Sequence, residues 1–64
     1  MARYEVQDSA TGEVLSRHQT RQGAVDRWRQ WYVGIPVRIY RTYADGNRVL
    51  VVEGTWHRTD DAPN

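Results

Sequence analysis

The chain contains no cysteine, no lysine and no phenylalanine, and only two prolines. Without cysteine, neither a disulfide nor a thiolate-held metal can reinforce the fold. A chain of 64 residues must then rely on its own packing or on association with another copy. A domain of this size buries only about 60% of the surface its unfolded chain exposes, so little stability is in reserve. No apolar run is long enough to span a membrane and no signal-peptide pattern is present, which makes a cytoplasmic address the expectation. The missing lysine means that all nine basic residues are arginine. Guanidinium forks suit phosphates and carboxylates, although a G+C-rich genome is the plainer origin of the bias. Eight acidic residues bring the formal charge to +1, too balanced to imply a polyanionic partner.

What the chain does have is aromatic: three Trp and four Tyr, each able to bury a large area. The central stretch runs from Thr20 to Gly34. Ala24, Val25, Trp28, Trp31 and Tyr32 recur at helical spacing, and Arg21, Gln22, Asp26, Arg27, Arg29 and Gln30 fill the opposite side. At this spacing Trp28, Trp31 and Tyr32 read as core rather than as stacking platforms for bases. Thr20 is the expected N-cap. Gly23 stands where a capping box would want Glu or Gln, so close approach of the helix start to the sheet is its expected reason. Gly34 fits a left-handed cap, and Pro36 prevents continuation.

Strand patterns flank the helix. Arg3 to Asp8 alternates, with Tyr4 and Val6 on one side, and Glu13 to His18 follows a turn at residues 9–12. A turn with Gly12 left-handed and a bulge pairs Glu5 with Arg17 and Val6 with Ser16. A four-residue loop pairs Val6 with Leu15 instead, and both registers stay open. Val37 to Tyr43 and Arg48 to Val52 form the clearest hairpin, with Asp45-Gly46 predicting a two-residue type I′ turn. Counting outward pairs Thr42 with Val49, Arg41 with Leu50, Tyr40 with Val51, Ile39 with Val52 and Arg38 with Glu53. Val37, Ile39, Leu50 and Val52 then face the helix. The expected fold is an α+β single domain over residues 1–58, ββαββ in order, with one amphipathic helix on one face of a mainly antiparallel four-stranded sheet. Residues 59–64 read as a frayed polar tail.

Chemistry-bearing motifs are sparse. His18 and His57 are the two imidazoles, and with Asp60 or Asp61 they offer a two-His-carboxylate site if the second and fourth strands end on the same side. No spacing motif supports this, so no catalytic residue, metal or cofactor is assigned. The most informative feature is the face away from the helix, where Arg38, Tyr40, Thr42, Val49 and Val51 gather under the predicted register. Solvent-facing strand positions are usually polar, and the fourth strand, Val49-Leu50-Val51-Val52, is apolar on both sides. The plain reading is β propensity alone.

The sharper reading is a non-catalytic interaction or regulatory module, homodimeric, using that face or edge to bind a protein partner. Its candidate residues are Arg38, Tyr40, Thr42, Val49, Val51 and Trp56; Trp56 alternatively covers the edge of the core. The alternative is a nucleic-acid binder that presents Arg38, Tyr40, Arg41 and Arg48 on the 37–52 β-ribbon. A pI of about 8.2 stands against it. The short, arginine-only format is common among small accessory proteins of phages and bacteria, an analogy of format only.

Overall fold

A computed structural model describes residues 3–57; the expected tail, with Asp60 and Asp61, lies outside them. Strands β1 (Arg3–Asp8) and β2 (Val14–His18) precede helix α1 (Arg21–Trp31), and strands β3 (Pro36–Thr42) and β4 (Arg48–Thr55) follow it. All three strand pairings are antiparallel, in the order β2-β1-β3-β4. The ββαββ chain is thus the α+β fold expected. Among the described residues no helix is long and apolar enough to cross a membrane.

The helix begins and ends for local reasons. Thr20 is extended (φ −126°, ψ 153°), and its Oγ1 accepts from the Gly23 N–H at 3.0 Å, satisfying a donor the first turn cannot pair. A Cβ added at Gly23 would sit 3.0 Å from that hydroxyl and 3.7 Å from the His18 Cβ, so glycine is required by the approach of the cap to the end of β2. The helix closes at Tyr32, whose N–H donates to the Trp28 carbonyl at 3.1 Å. Gly34 is not the cap itself: it lies in the following turn, which the Ile35 N–H closes on the Tyr32 carbonyl at 3.2 Å.

The helix packs on β2, β1 and β3, and its backbone does not come close to that of β4. Val6, Val37 and Ile39 from the sheet meet Ala24 and Trp28 in the buried core, with Tyr4, Leu15, Val25, Tyr32, Val52 and others packed around them. Trp28 is 8% exposed, as expected, but Trp31 is 66% exposed, against the prediction that it is core. Trp31 lies three residues on, about 60° round the helix from Trp28 and away from Val25 and Tyr32. It is also the last helical residue, and its ring is covered only by Arg27, whose Cζ is 5.2 Å from the ring centroid.

Both hairpins carry an extra residue in the outer strand. In the first, Asp8 N–H donates to the Glu13 carbonyl at 2.9 Å and Gly12, at φ +78°, donates to the Asp8 carbonyl at 2.7 Å, which closes a four-residue loop. Gln7 faces Val14, the register shifts at Leu15, and Val6 then faces Ser16 and Glu5 faces Arg17. The loop has four residues, yet both pairs of the bulged register, Glu5–Arg17 and Val6–Ser16, are present, and the alternative Val6–Leu15 pairing is not formed.

The second hairpin departs from the prediction. A type I′ turn needs positive φ at both central residues, and Gly46 (φ +90°) has it whereas Asp45 does not. Asp45 instead accepts the Asn47 N–H on Oδ1 at 3.0 Å. The loop lengthens to Ala44–Gly46, with Gly46 N–H donating to the Tyr43 carbonyl at 3.0 Å and Tyr43 N–H to the Asn47 carbonyl at 2.9 Å. Thr42 now faces Arg48, Arg41 faces Val49 and Tyr40 faces Leu50. A bulge at Val51 absorbs the slip, so Ile39–Val52 and Arg38–Glu53 pair as predicted.

Candidate functional site: the open face of the sheet

Residues paired across antiparallel strands share a face, so the register fixes what the uncovered side of the sheet displays. Three rows cross it. The middle row reads Arg17, Glu5, Tyr40, Leu50 from β2 to β4. On one side of it lie Arg3, Thr42 and Arg48; on the other lie Val14, Gln7, Arg38 and Glu53. No described segment of the chain packs over these rows, because the helix and the core it closes occupy the other side.

The face is held by charge. Glu5, with a side chain only 16% exposed, lies 3.2 Å from Arg17 Nε and 3.9 Å from Arg48 Nη1, and its Oε1 accepts from Gln7 Nε2 at 3.2 Å. Arg38 Nε donates to Glu53 Oε2 at 2.8 Å. That hydrogen bond to Glu53, followed by one to Tyr40, raises the pKa of Arg38 above the ordinary guanidinium value. The Arg48 guanidinium lies over the Tyr40 ring, 5.2 Å from its centroid. Four arginines and two glutamates thus surround Tyr40 and Leu50, an excess of two positive charges on one side of the molecule.

The bulge redistributes the predicted site. Arg38, Tyr40 and Thr42 lie on this face as expected. Val51 does not: as the bulged residue it packs against the core together with Val52. Val49 pairs with Arg41 on the helix side and remains 50% exposed because α1 does not reach β4. Leu50, expected to face the helix, takes its place beside Tyr40 on the open face at 44% exposure. Trp56 covers the edge of the core: its ring meets Trp28 edge-on at 6.1 Å, Arg29 stacks on it at 4.5 Å, and its carbonyl accepts the Gly34 N–H at 2.8 Å.

Of the nucleic-acid candidates, Arg38, Tyr40 and Arg48 share the open face. Arg41 lies on the other side, 5.1 Å over the Tyr43 ring. Arg3, Glu5 and Arg17 were missed, although the Glu5–Arg17 pairing was one of the two legible registers. Their membership of the site follows from β1 lying between β2 and β3, and no local pattern encodes that order.

His18 and His57 do not meet. In this order β2 and β4 are opposite edges running antiparallel to each other, so their C-terminal ends lie at opposite ends of the sheet. His18 Nε2 is 2.8 Å from Ser16 Oγ, and burial, then the nearby Arg27 charge, lowers its pKa below 6.5. Among the described residues no three His, Asp or Glu side chains gather as a metal site.

No protein-family model matches this chain, and neither a curated protein nor a solved structure matches it.

Proposed function

We infer that the protein is a small non-catalytic interaction module whose open sheet face binds an acidic patch on a protein partner. The observation that carries this reading is the half-buried Tyr40 and exposed Leu50 inside a frame of four arginines and two glutamates. Tyr and Arg dominate the energetic centres of protein interfaces. Here the forks are already steered by Glu5 and Glu53, so less side-chain freedom is lost on binding. The face is favoured over the edges because β2 and β4 each carry a bulge, which breaks the regular ladder an added strand needs. It is also favoured over stacking of two copies. The homodimer expected from the sequence was to bury Tyr40, Val49 and Val51; of these only Tyr40 lies on this face, and like-charged faces repel.

Affinity enrichment with the intact chain tests the reading when run beside Tyr40→Ala, Arg38→Glu and the helix-side Trp31→Ala. A protein bound directly by wild type and Trp31→Ala, and at least tenfold more weakly by the other two, is the expected result. Indifference of every bound protein to Tyr40 and Arg38 overturns it.

A specific observation favours nucleic acid as the second reading. The end of the β3–β4 hairpin lies outside the footprint of the helix, with Arg48 over Tyr40 on one side and Arg41 over Tyr43 on the other. A two-stranded ribbon fits the major groove and would present a guanidinium to each wall. Retention on mixed DNA at low salt, lost in Arg41→Gln and in Arg48→Gln, is the outcome this reading requires.

A further inference from the structure

At the corner where β1 begins and β2 ends, a shallow cavity of about 260 Å³ is lined by Arg3, Arg17, His18 and Gln19. The Arg3, Arg17 and Gln19 side chains can each donate a hydrogen bond, and among the described residues no carboxylate lines the cavity. The nearest acid, Glu5, engages Arg17 through Nε at 3.2 Å, which steadies the fork and leaves its terminal Nη atoms for a ligand. Arg3 makes no ion pair among the described residues. Two guanidiniums from neighbouring strands and the Gln19 amide therefore border one shallow space, while the His18 imidazole lies on the helix side with Nε2 on Ser16 Oγ.

The number of donors selects the ligand. A carboxylate has two oxygens and is satisfied by a single fork, whereas a phosphate group presents three or four oxygens in different directions and accepts two forks at once. Liquid water takes roughly 30 Å³ per molecule, so the cavity has ample room for a tetrahedral anion with its hydration. The geometry points to a phosphate-group site at this corner, bound by Arg3 and Arg17 with Gln19 as a further donor. It stands on the cavity and its lining and does not depend on which macromolecule binds the open face. The phosphate group can come from free phosphate or from a nucleic-acid backbone.

The experiment is a titration of the full chain at constant ionic strength, followed by two-dimensional NMR of the backbone and arginine side chains. Inorganic phosphate is the first probe, chloride the reference, and a 12-residue single-stranded oligodeoxynucleotide the second. The expected result is saturable shifts at Arg3, Arg17, His18 and Gln19, with a dissociation constant for phosphate of about 1–10 mM. Arg3→Gln, an exposed change that leaves the fold intact, weakens this at least tenfold; Arg29→Gln, on the helix, leaves it unchanged. If the oligonucleotide binds tighter than phosphate and loses at least tenfold in Arg3→Gln, the site takes backbone phosphate. If only inorganic phosphate shows the Arg3 dependence, it takes the free anion. Shifts that grow linearly without saturation for both probes, or saturable shifts indifferent to Arg3, overturn the proposal.

Discussion

Trp28 and Trp31 are separated by a single helical step and differ in environment. Trp28 lies against Val6, Val37 and Ile39 with its edge on Trp56, and truncating it to Ala removes the largest member of a five-residue buried core. The expected loss is about 3–5 kcal/mol, comparable to everything a single core of this size supplies. Trp31→Ala removes an exposed ring and one stacked arginine and should change stability by less than about 1 kcal/mol. Urea unfolding of the two variants side by side checks the contrast. The helical stripe was legible from spacing, but its true centre was not, because spacing does not say which flank the sheet supports.

His18 adds a pH dependence at the same scale. Its folded-state pKa lies below 6.5, mainly through burial, so the unfolded chain takes up this proton first as the pH falls. The contribution of neutral His18 is therefore complete above 6.5, declines as the pH drops through the folded value, and levels off once both states are protonated. Denaturant midpoints measured between pH 7.5 and 5 should fall less in His18→Gln than in wild type.

At the scale of elements, the second hairpin decides the face of every β4 residue before its bulge. Replacing Gly46 by Ala places a side chain at φ +90° and should destabilise the protein by about 1 kcal/mol or more, readable from a thermal melt. Asp45-Gly46 correctly announced a hairpin between strands near 37–43 and 48–52. The pattern could not say that Asp45 would keep a negative φ and use its carboxylate to hold Asn47 instead. That choice adds one residue to the loop and, with a period of two along the strand, exchanges Leu50 for Val51 on the open face. The apolar run Val49–Val52 has a related origin: a bulge lets two adjacent residues, Val51 and Val52, both turn inward, so continuous hydrophobicity in sequence need not mean two greasy faces. The first hairpin was legible in the same partial way: the bulged register named the Glu5–Arg17 and Val6–Ser16 pairs, and the alternative had the loop length but not the Val6–Leu15 pair.

For the whole molecule, the strand order is what gathers one arginine from each of the four strands onto one side, and it was beyond the reach of local patterns. Its consequence is electrostatic. A chain with a formal charge of +1 carries an excess of two positive charges on the open face. Two such faces repel most at low ionic strength, where screening is weakest. Sedimentation equilibrium at 50 µM should therefore report a monomer in dilute buffer, and Arg38→Glu should be the variant that first shows association as its repulsion is removed. A wild-type dimer that tightens when salt is withdrawn would contradict this.

Because the backbone of α1 stays away from β4, the strand bearing Leu50 and Arg48 has β3 as its one hydrogen-bonded neighbour and is otherwise held by Val51 and Val52 against the core and by Arg48 beside Glu5. Amide hydrogens of β4 should thus exchange with deuterium sooner than those of β1, through local opening that leaves the rest intact. The edge of the recognition surface that carries Leu50, Arg48 and Glu53 is then a leaf on a hinge of backbone hydrogen bonds, and occupancy of Tyr40 and Leu50 by any binder should slow that exchange at a distance from the contact itself.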